Sequence, residues 1–311
     1  SAVSLPVSIF EARSMLARQT EYFRETPLLA AARRQTDPLV RFVHVCAFFF
    51  AGLSRLGSHR KPVNPVLGET YETVFGDGTR VYCEGSRHHP PETSMLLLGD
   101  GWRLSGQAVY TASFKGNTVN VTQPGKWLLV LYDNTGVETN RIHFTLPDTI
   151  INGIIWGKRA AVYTGTFLVY DETSHLEGTI HFTDSRKKGR RVDECDMSIV
   201  QVTDTEKRAK WHSKKRDKKD HPKYGSEIST AQGSYVKEFV WQNQVIWRYS
   251  HSIQANSPVP LERALPSDSR RRADVRLIGD GDFPAAQKAK VGGHVYVPRS
   301  SLSFSLLLFY P

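Results

Sequence analysis

After Glu69 the chain breaks into short runs of β-branched and aromatic residues, and no other feature constrains the fold as tightly. "ETYETVF", "TRVYCEG", "WRLSGQAVYTASF", "TVNVTQ", "WLLVLYD", "RIHFTL", "AVYTGTFLVYD" and "LEGTIHF" follow one another without a helical segment between them. "GDG", "KGN" and "DNTG" punctuate the series as hairpin turns do. Strands joined this closely pair antiparallel, and so long a series curls into a barrel or splits into a sandwich. No repeat at the period of a solenoid or propeller is evident.

Two helices are expected before the strands. In "SIFEARSMLARQTEYF" Ser8 and Glu11 form a capping box, and Ile9, Ala12, Leu16 and Phe23 recur at helical spacing. "DPLVRFVHVCAFFFAGLSRL" reads as a buried helix with Asp37 as N-cap and Pro38 at the first position. Its uninterrupted apolar core, Val45 to Leu53, is too short to span a bilayer. Past Pro266, "LPSDSRRRADVRLIGDGDFPAAQKAK" reads as an extended connection leading to a short helix near Pro284 to Val291. The first residues lack a basic, apolar leader, so no signal peptide is expected. A start at Ser1 without methionine reads as a piece of something longer. Cys46, Cys83 and Cys195 are widely spaced, which argues against a disulfide framework or zinc ribbon and suits a reducing compartment.

The formal charge of +10 is local. "RKKGRR" (Arg186 to Arg191) carries five positive charges, and Glu206 to Lys223 carries nine basic and three acidic residues. Three readings fit: solvated loops, a contact with anionic lipid at about 1 kcal/mol per basic residue, or nucleic acid. Trp211 is the one aromatic of the second run besides its histidines, so no stacking platform for bases is present and no nucleic-acid partner is expected.

Catalytic signatures are missing: there is no G-x-S-x-G, Walker A, H-E-x-x-H or dinucleotide fingerprint. His88 and His89 in "EGSRHHPPETS" are candidate metal ligands for a hydrolase, but no third ligand lies at a recognisable spacing. An ordinary strand end explains a lone histidine pair equally well. "KPVNPVLGETYE", Lys61 to Glu72, shifts that weighing. Pro62 and Pro65 stiffen the backbone around Asn64, Gly68 permits an unusual dihedral, and Lys61 stands at its start. A rigid lysine-bearing loop of this kind suits an anion, because little entropy is lost on binding.

The two stretches in order, "KPVNPVLGETYE" and then "EGSRHHPP", resemble the lipid-binding domain of the oxysterol-binding protein family. Its signature is close to K-P-x-N-P-x-L-G-E-x-x-E followed by E-x-x-S-H-H-P-P, and Arg87 stands here where the family has Ser. "SLPVSIFEARSML", "TIINGIIWGKRAAVYTGTFLVYDETSHLEGTIHF" and "LPSDSRRRADVRLI", with Ala273 replacing a Pro, extend the resemblance over about residues 4 to 290.

That resemblance implies a mainly β (α+β) chain, a large incomplete antiparallel β-barrel enclosing a lipid tunnel, with N-terminal helices and a short C-terminal helix. Residues 1–290 would form this lipid-binding domain, its N-terminal lid absent or truncated, and 291–311 a divergent tail. It implies a carrier and not an enzyme, without cofactor or metal. The cargo would be phosphatidylinositol 4-phosphate, exchanged for a sterol or another phospholipid such as phosphatidylserine. Carried over by position, Lys61, Asn64, His88 and His89 would hold the headgroup phosphate. Lys288 would join them from a final helix whose further family positions fall on Gly292 and Tyr296. The basic residues Arg186, Lys187, Lys188, Arg190, Arg191, Lys214 and Lys215 would face an anionic membrane surface. Localisation would be cytoplasmic, peripheral at membranes or membrane contact sites. Physical scale supports a closed cavity: exposing on the order of 30 methylenes of a two-chain lipid would cost about 25 kcal/mol.

Overall fold

A computed structural model describes residues 7, 10–56, 61–87, 90–158, 160–182, 191–213, 224–250 and 255–292. Among the described residues, Phe10–Ser14 form a strand, β1, where a helix is expected over residues 8–23. β1 pairs in parallel with β2 (Lys61–Val63) at Phe10↔Lys61 and Ser14↔Val63, and Phe10 and Ser14 are buried while Ala12 between them is exposed. The sheet contact outweighs the helical spacing. The first helix, α1 (Met15–Thr20), therefore starts seven residues after Ser8, and the Ser14 hydroxyl caps it by accepting from Leu16 N at 3.4 Å. Glu11 pairs with Arg13 at 3.1 Å, not with a capping box.

α2 (Pro27–Arg33) and α3 (Pro38–Gly52) follow. α3 is the expected buried helix: Asp37 accepts from Leu39 N at 2.7 Å and from Val40 N at 3.1 Å. Phe42, Phe48 and Phe50 are at most 1% exposed. By length and composition Pro38–Arg55 could cross a membrane, but 61% of that stretch is buried in this fold. Asp37→Ala should lower folding stability by about 1 kcal/mol, read from a denaturant titration, because two amide donors lose their acceptor. An unchanged midpoint would mean that packing alone starts α3.

All eight expected runs lie in strands. In order these are β3 (Thr70–Phe75), β4 (Arg80–Arg87), β5 (Glu92–Gly99), β6 (Trp102–Val109), β7 (Thr111–Lys115) and β8 (Thr118–Thr122). Then come β9 (Trp127–Tyr132), β10 (Glu138–Thr145), β11 (Asp148–Asn152), β12 (Ala160–Asp171), β13 (Leu176–Phe182) and β14 (Glu194–Val202). β15 (Gly225–Ser234), β16 (Glu238–Trp241), β17 (Gln244–Arg248) and β18 (Asn256–Pro258) complete the series. "WRLSGQAVYTASF" splits at Tyr110 into β6 and β7. β3 to β18 form one sixteen-stranded antiparallel sheet with β17 and β18 at its open edges, a large incomplete barrel. β7, β8, β11 and the first half of β12 stand off the main path as a flap, and Gly165, at φ +79°, marks where β12 turns into the barrel.

Two further departures concern helices. The second basic stretch opens with α4 (Thr205–His212), capped by Asp204 accepting from Lys207 N at 2.8 Å, and is not all loop. The polar connection after Pro266 contains α5 (Ala273–Gly279) before α6 (Phe283–Gly292), which is the expected last helix.

α3 lies against the inner face of the barrel. Phe49 stacks on Phe144 with centroids 3.8 Å apart, Phe50 meets Phe239 at 5.0 Å, and Gly233 makes room for Phe50. Cys46, Cys83 and Cys195 are free thiols buried in this core.

Because neighbouring strands alternate in direction, the loops segregate to two rims. One rim carries the start of β3, the ends of β4, β6, β10, β13 and β15, and the starts of β5, β9 and β14. Phe182 and Arg191, which flank the first basic run, stand on this rim; Val202 and Gly225, which flank the second, stand on the other.

Candidate functional site

The Lys61–Glu69 loop is built around a buried carboxylate. Glu69 is 1% exposed. Its Oε1 accepts from the Ser14 hydroxyl, and its Oε2 from Val66 N at 2.9 Å and from Arg272 Nη1 at 2.7 Å. The same Arg272 nitrogen donates to the Asn64 carbonyl at 2.8 Å, and the guanidinium forks onto Asp274 at 3.0 and 2.6 Å. Arg272 thus ties the loop to the start of α5, 203 to 208 residues away in sequence. Burial pushes the Glu69 carboxyl up from its ordinary range, against the pull of Arg272. With Pro62 and Pro65 buried and fixed in φ, little of this loop is free to move.

The strand that leads into the histidine pair is stitched to the same loop. Gly68, at φ +79°, donates to the Gly85 carbonyl at 2.9 Å, and Gly85 N donates to Glu69 O at 2.8 Å. A Cβ on Gly85 would fall 2.5 Å from the Val66 carbonyl oxygen, so only glycine permits the approach. β4 ends at Arg87, with Pro90 and Pro91 in the turn before β5. The Arg87 guanidinium lies 3.6 Å from Glu92, toward the protein's own carboxylate. His88 and His89 lie outside the described residues.

Lys61 and Asn64 meet: the Lys61 ammonium donates to Asn64 Oδ1. Lys61 Nζ also sits 5.0 Å from the centroid of the buried Phe10 ring, and Lys290 Nζ sits 4.6 Å from it. Burial lowers the Lys61 pKa to about 8, and the Lys290 charge acts in the same direction. Lys288, the residue expected here, is exposed on α6. Ala286 is fully buried, and Lys290, four positions on, shares its helix face, a relation that only the folded chain reveals. The arrangement brings two ammonium groups together, Lys61 on the rigid loop and Lys290 on α6, and suits an anion.

Inside the barrel the lining is apolar with a few polar atoms. Tyr22 and Tyr163 share a hydrogen bond of 2.7 Å, Tyr163 donates to Leu53 O at 3.0 Å, and Gln19 Nε2 donates to Tyr110 at 2.8 Å. Gln19 Oε1 and Trp127 Nε1 are buried without a partner among the described residues.

Of the basic residues expected at a membrane, Arg191 is described: it is exposed and its Nε donates to Asp193 at 3.0 Å. Arg186, Lys187, Lys188, Arg190, Lys214 and Lys215 lie outside the described residues. Among the described residues, no group of three or more His, Cys, Asp or Glu side chains could hold a metal ion.

The family profile described as oxysterol-binding protein matches residues 1–292. Oxysterol-binding protein 9 of Dictyostelium discoideum is 30% identical over 306 residues, which cover 93% of this chain and 68% of that protein. Oxysterol-binding protein 11 of the same organism is 29% identical over 291 residues, covering 88% and 49%. Oxysterol-binding protein-related protein 3B of Arabidopsis thaliana is 25% identical over 294 residues, covering 91% and 62%. The chain therefore spans between 49% and 68% of the length of these relatives. Among solved structures, the Osh3 ORD of Saccharomyces cerevisiae in complex with PI(4)P superposes with a TM-score of 0.74 at 23% identity, covering 94% of this chain and 77% of that one. The Osh1 ORD in complex with ergosterol gives 0.74 at 20% identity, covering 94% and 73%.

Proposed function

From a chain that belongs to the oxysterol-binding protein family, we propose a lipid carrier that takes phosphatidylinositol 4-phosphate and exchanges it for a sterol or a second phospholipid such as phosphatidylserine. The observation that carries this reading is the cationic loop at the barrel rim. Lys61, on a backbone held by Glu69 and Arg272, and Lys290, on α6, converge over Phe10, beside the strand that runs into His88 and His89. The phosphate is the part of the lipid that such a loop reads; the acyl chains go to the apolar lining behind it. A ligand without the phosphate relies on that lining and on scattered polar atoms, of which Gln19 Oε1 and Trp127 Nε1 are suited to a single hydroxyl. Transfer by a carrier of this design needs no catalytic group. It would act at cytosolic membrane faces, including sites where two membranes approach.

Liposomes holding a trace of phosphatidylinositol 4-phosphate test it. Excess protein should extract that lipid in a roughly one-to-one complex, and cholesterol- or phosphatidylserine-bearing acceptors should change the rate at which it is released. Failure to extract, under conditions where a longer relative succeeds, would sink the reading for this chain.

A further inference from the structure

The flap formed by β7, β8, β11 and the start of β12 displays large apolar side chains to solvent. Phe114 is 71% exposed, Ile155 68% and Trp156 65%. They come from two separate stretches of chain, joined by Asn117 in the β7–β8 turn. Asn117 Nδ2 donates to Trp156 O at 2.8 Å, while its Oδ1 accepts from Ile155 N at 2.8 Å and Trp156 N at 3.2 Å. Gly153 N and Ile154 N donate to the Asn117 carbonyl at 3.1 and 3.4 Å. The register Phe114↔Val119↔Ile151 keeps the hairpin and β11 side by side. An apolar loop exposed this far is ordinarily loose; here it is held in one shape.

We propose that this tip is a membrane anchor: Phe114, Ile155 and Trp156 insert into the interfacial layer of an anionic bilayer and set the barrel rim against it. The inference rests on the lipid-carrier reading for its purpose, but not for its test. Three observations select a bilayer as the occupant. The flap leaves β6 and β10 at the rim where β4 runs toward the histidine pair, so a membrane touching the tip also meets the headgroup loop. Its charge is one-sided: residues 110–127 hold Lys115 and Lys126 and no acidic residue. Residues 146–164 hold one carboxylate, Asp148, half-buried and accepting from Gln123 N, and the same stretch carries the exposed Lys158. Indole and phenyl rings flanked by lysines suit the headgroup layer of anionic lipid. The patch is also small, three side chains, against the roughly 800 Å² that each partner of a stable protein interface buries.

The test uses vesicles of phosphatidylcholine with phosphatidylserine, free of phosphoinositide. Trp156 is the most exposed indole among the described residues: Trp102, Trp127, Trp241 and Trp247 are at most 8% exposed, and Trp211 is partly buried against Tyr224. Wild-type fluorescence should shift to the blue on vesicle addition and be quenched by shallow brominated acyl chains; Trp156→Phe should lose most of that signal while still binding. Combined Phe114→Ser, Ile155→Ser and Trp156→Ser should lower vesicle partitioning about tenfold to a hundredfold with an unchanged melting midpoint. Binding of a soluble short-chain phosphatidylinositol 4-phosphate should not change in that variant. Unquenched Trp156, or full partitioning by the triple variant, overturns the anchor whatever the headgroup assay shows. A loss of self-association in the triple variant with vesicle binding intact would mean that the patch meets a second copy, and also overturns it. Failure of headgroup binding in the wild type would count against the carrier reading alone.

Discussion

Arg272→Ala is expected to cost about 3–5 kcal/mol of folding stability, because it leaves a buried carboxylate without its cation. Glu69 would retain the Ser14 hydroxyl and Val66 N, which solvate the charge but do not neutralise it. Asp274 would lose its fork, and the Asn64 carbonyl its donor. The pH dependence identifies the cause. Burial already holds the Glu69 carboxyl above its ordinary range, with Arg272 the largest opposing influence. Without Arg272 that pKa climbs further. A carboxyl whose folded pKa exceeds its unfolded one contributes stability at low pH, where it is protonated, and loses it as pH rises through the folded value. The penalty of Arg272→Ala should therefore be smallest in mild acid and grow toward neutrality. Glu69→Gln in the Arg272→Ala background should recover part of the loss at neutral pH and little in acid. A penalty that does not vary with pH would assign the damage to lost packing, not to the stranded charge.

The sequence made much of this molecule legible, for identifiable reasons. Strand texture is a local property, so all eight runs after Glu69 could be named. α3 could be placed because its cap, its proline and its apolar run agree. β1 was misread because Ile9, Ala12 and Leu16 satisfy a helical period, whereas the pairing that decides its state is made by Lys61–Val63, about fifty residues on. In the site, Lys61 and Asn64 stand within one motif and were readable together. Arg272 was not, since nothing local says that the late arginine cluster closes on Glu69. Motif position points to Lys288, whereas the buried face of the final helix, set by Ala286, carries Lys290 toward Phe10. Which strand residues face inward is also hidden in the sequence: alternation gives two faces, and the helical residues packed inside, those of α3 with Leu16, Phe23 and Leu29, tell them apart.

Lys61→Ala is expected to weaken binding of the 4-phosphate headgroup about tenfold to a hundredfold, the value of one charge-assisted hydrogen bond. Sterol binding should change little, because it draws on the apolar lining. Burial, reinforced by Lys290, lowers Lys61 to about 8 in the empty site. A bound phosphate would favour the charged ammonium, so binding between roughly pH 8 and 9 should take up a proton. Affinity in the wild type should rise as the phosphate loses its second proton near about pH 6, and fall again as Lys61 deprotonates above 8. Lys61→Ala should keep the first limb and lose the second. Stability should move the opposite way. A lysine with a depressed folded pKa opposes folding while it must be charged, and that opposition is relieved as pH rises from about 8 toward its unfolded value. Lys61→Met, which keeps the stem over Phe10 without the charge, should therefore be at least as stable as the wild type at neutral pH while binding headgroup poorly. Such opposite movement of stability and affinity is what a residue kept for its ligand produces. A Lys61→Met protein that is destabilised, or that retains the alkaline limb of the binding profile, would show that Lys61 supports the loop and leaves the phosphate to other residues.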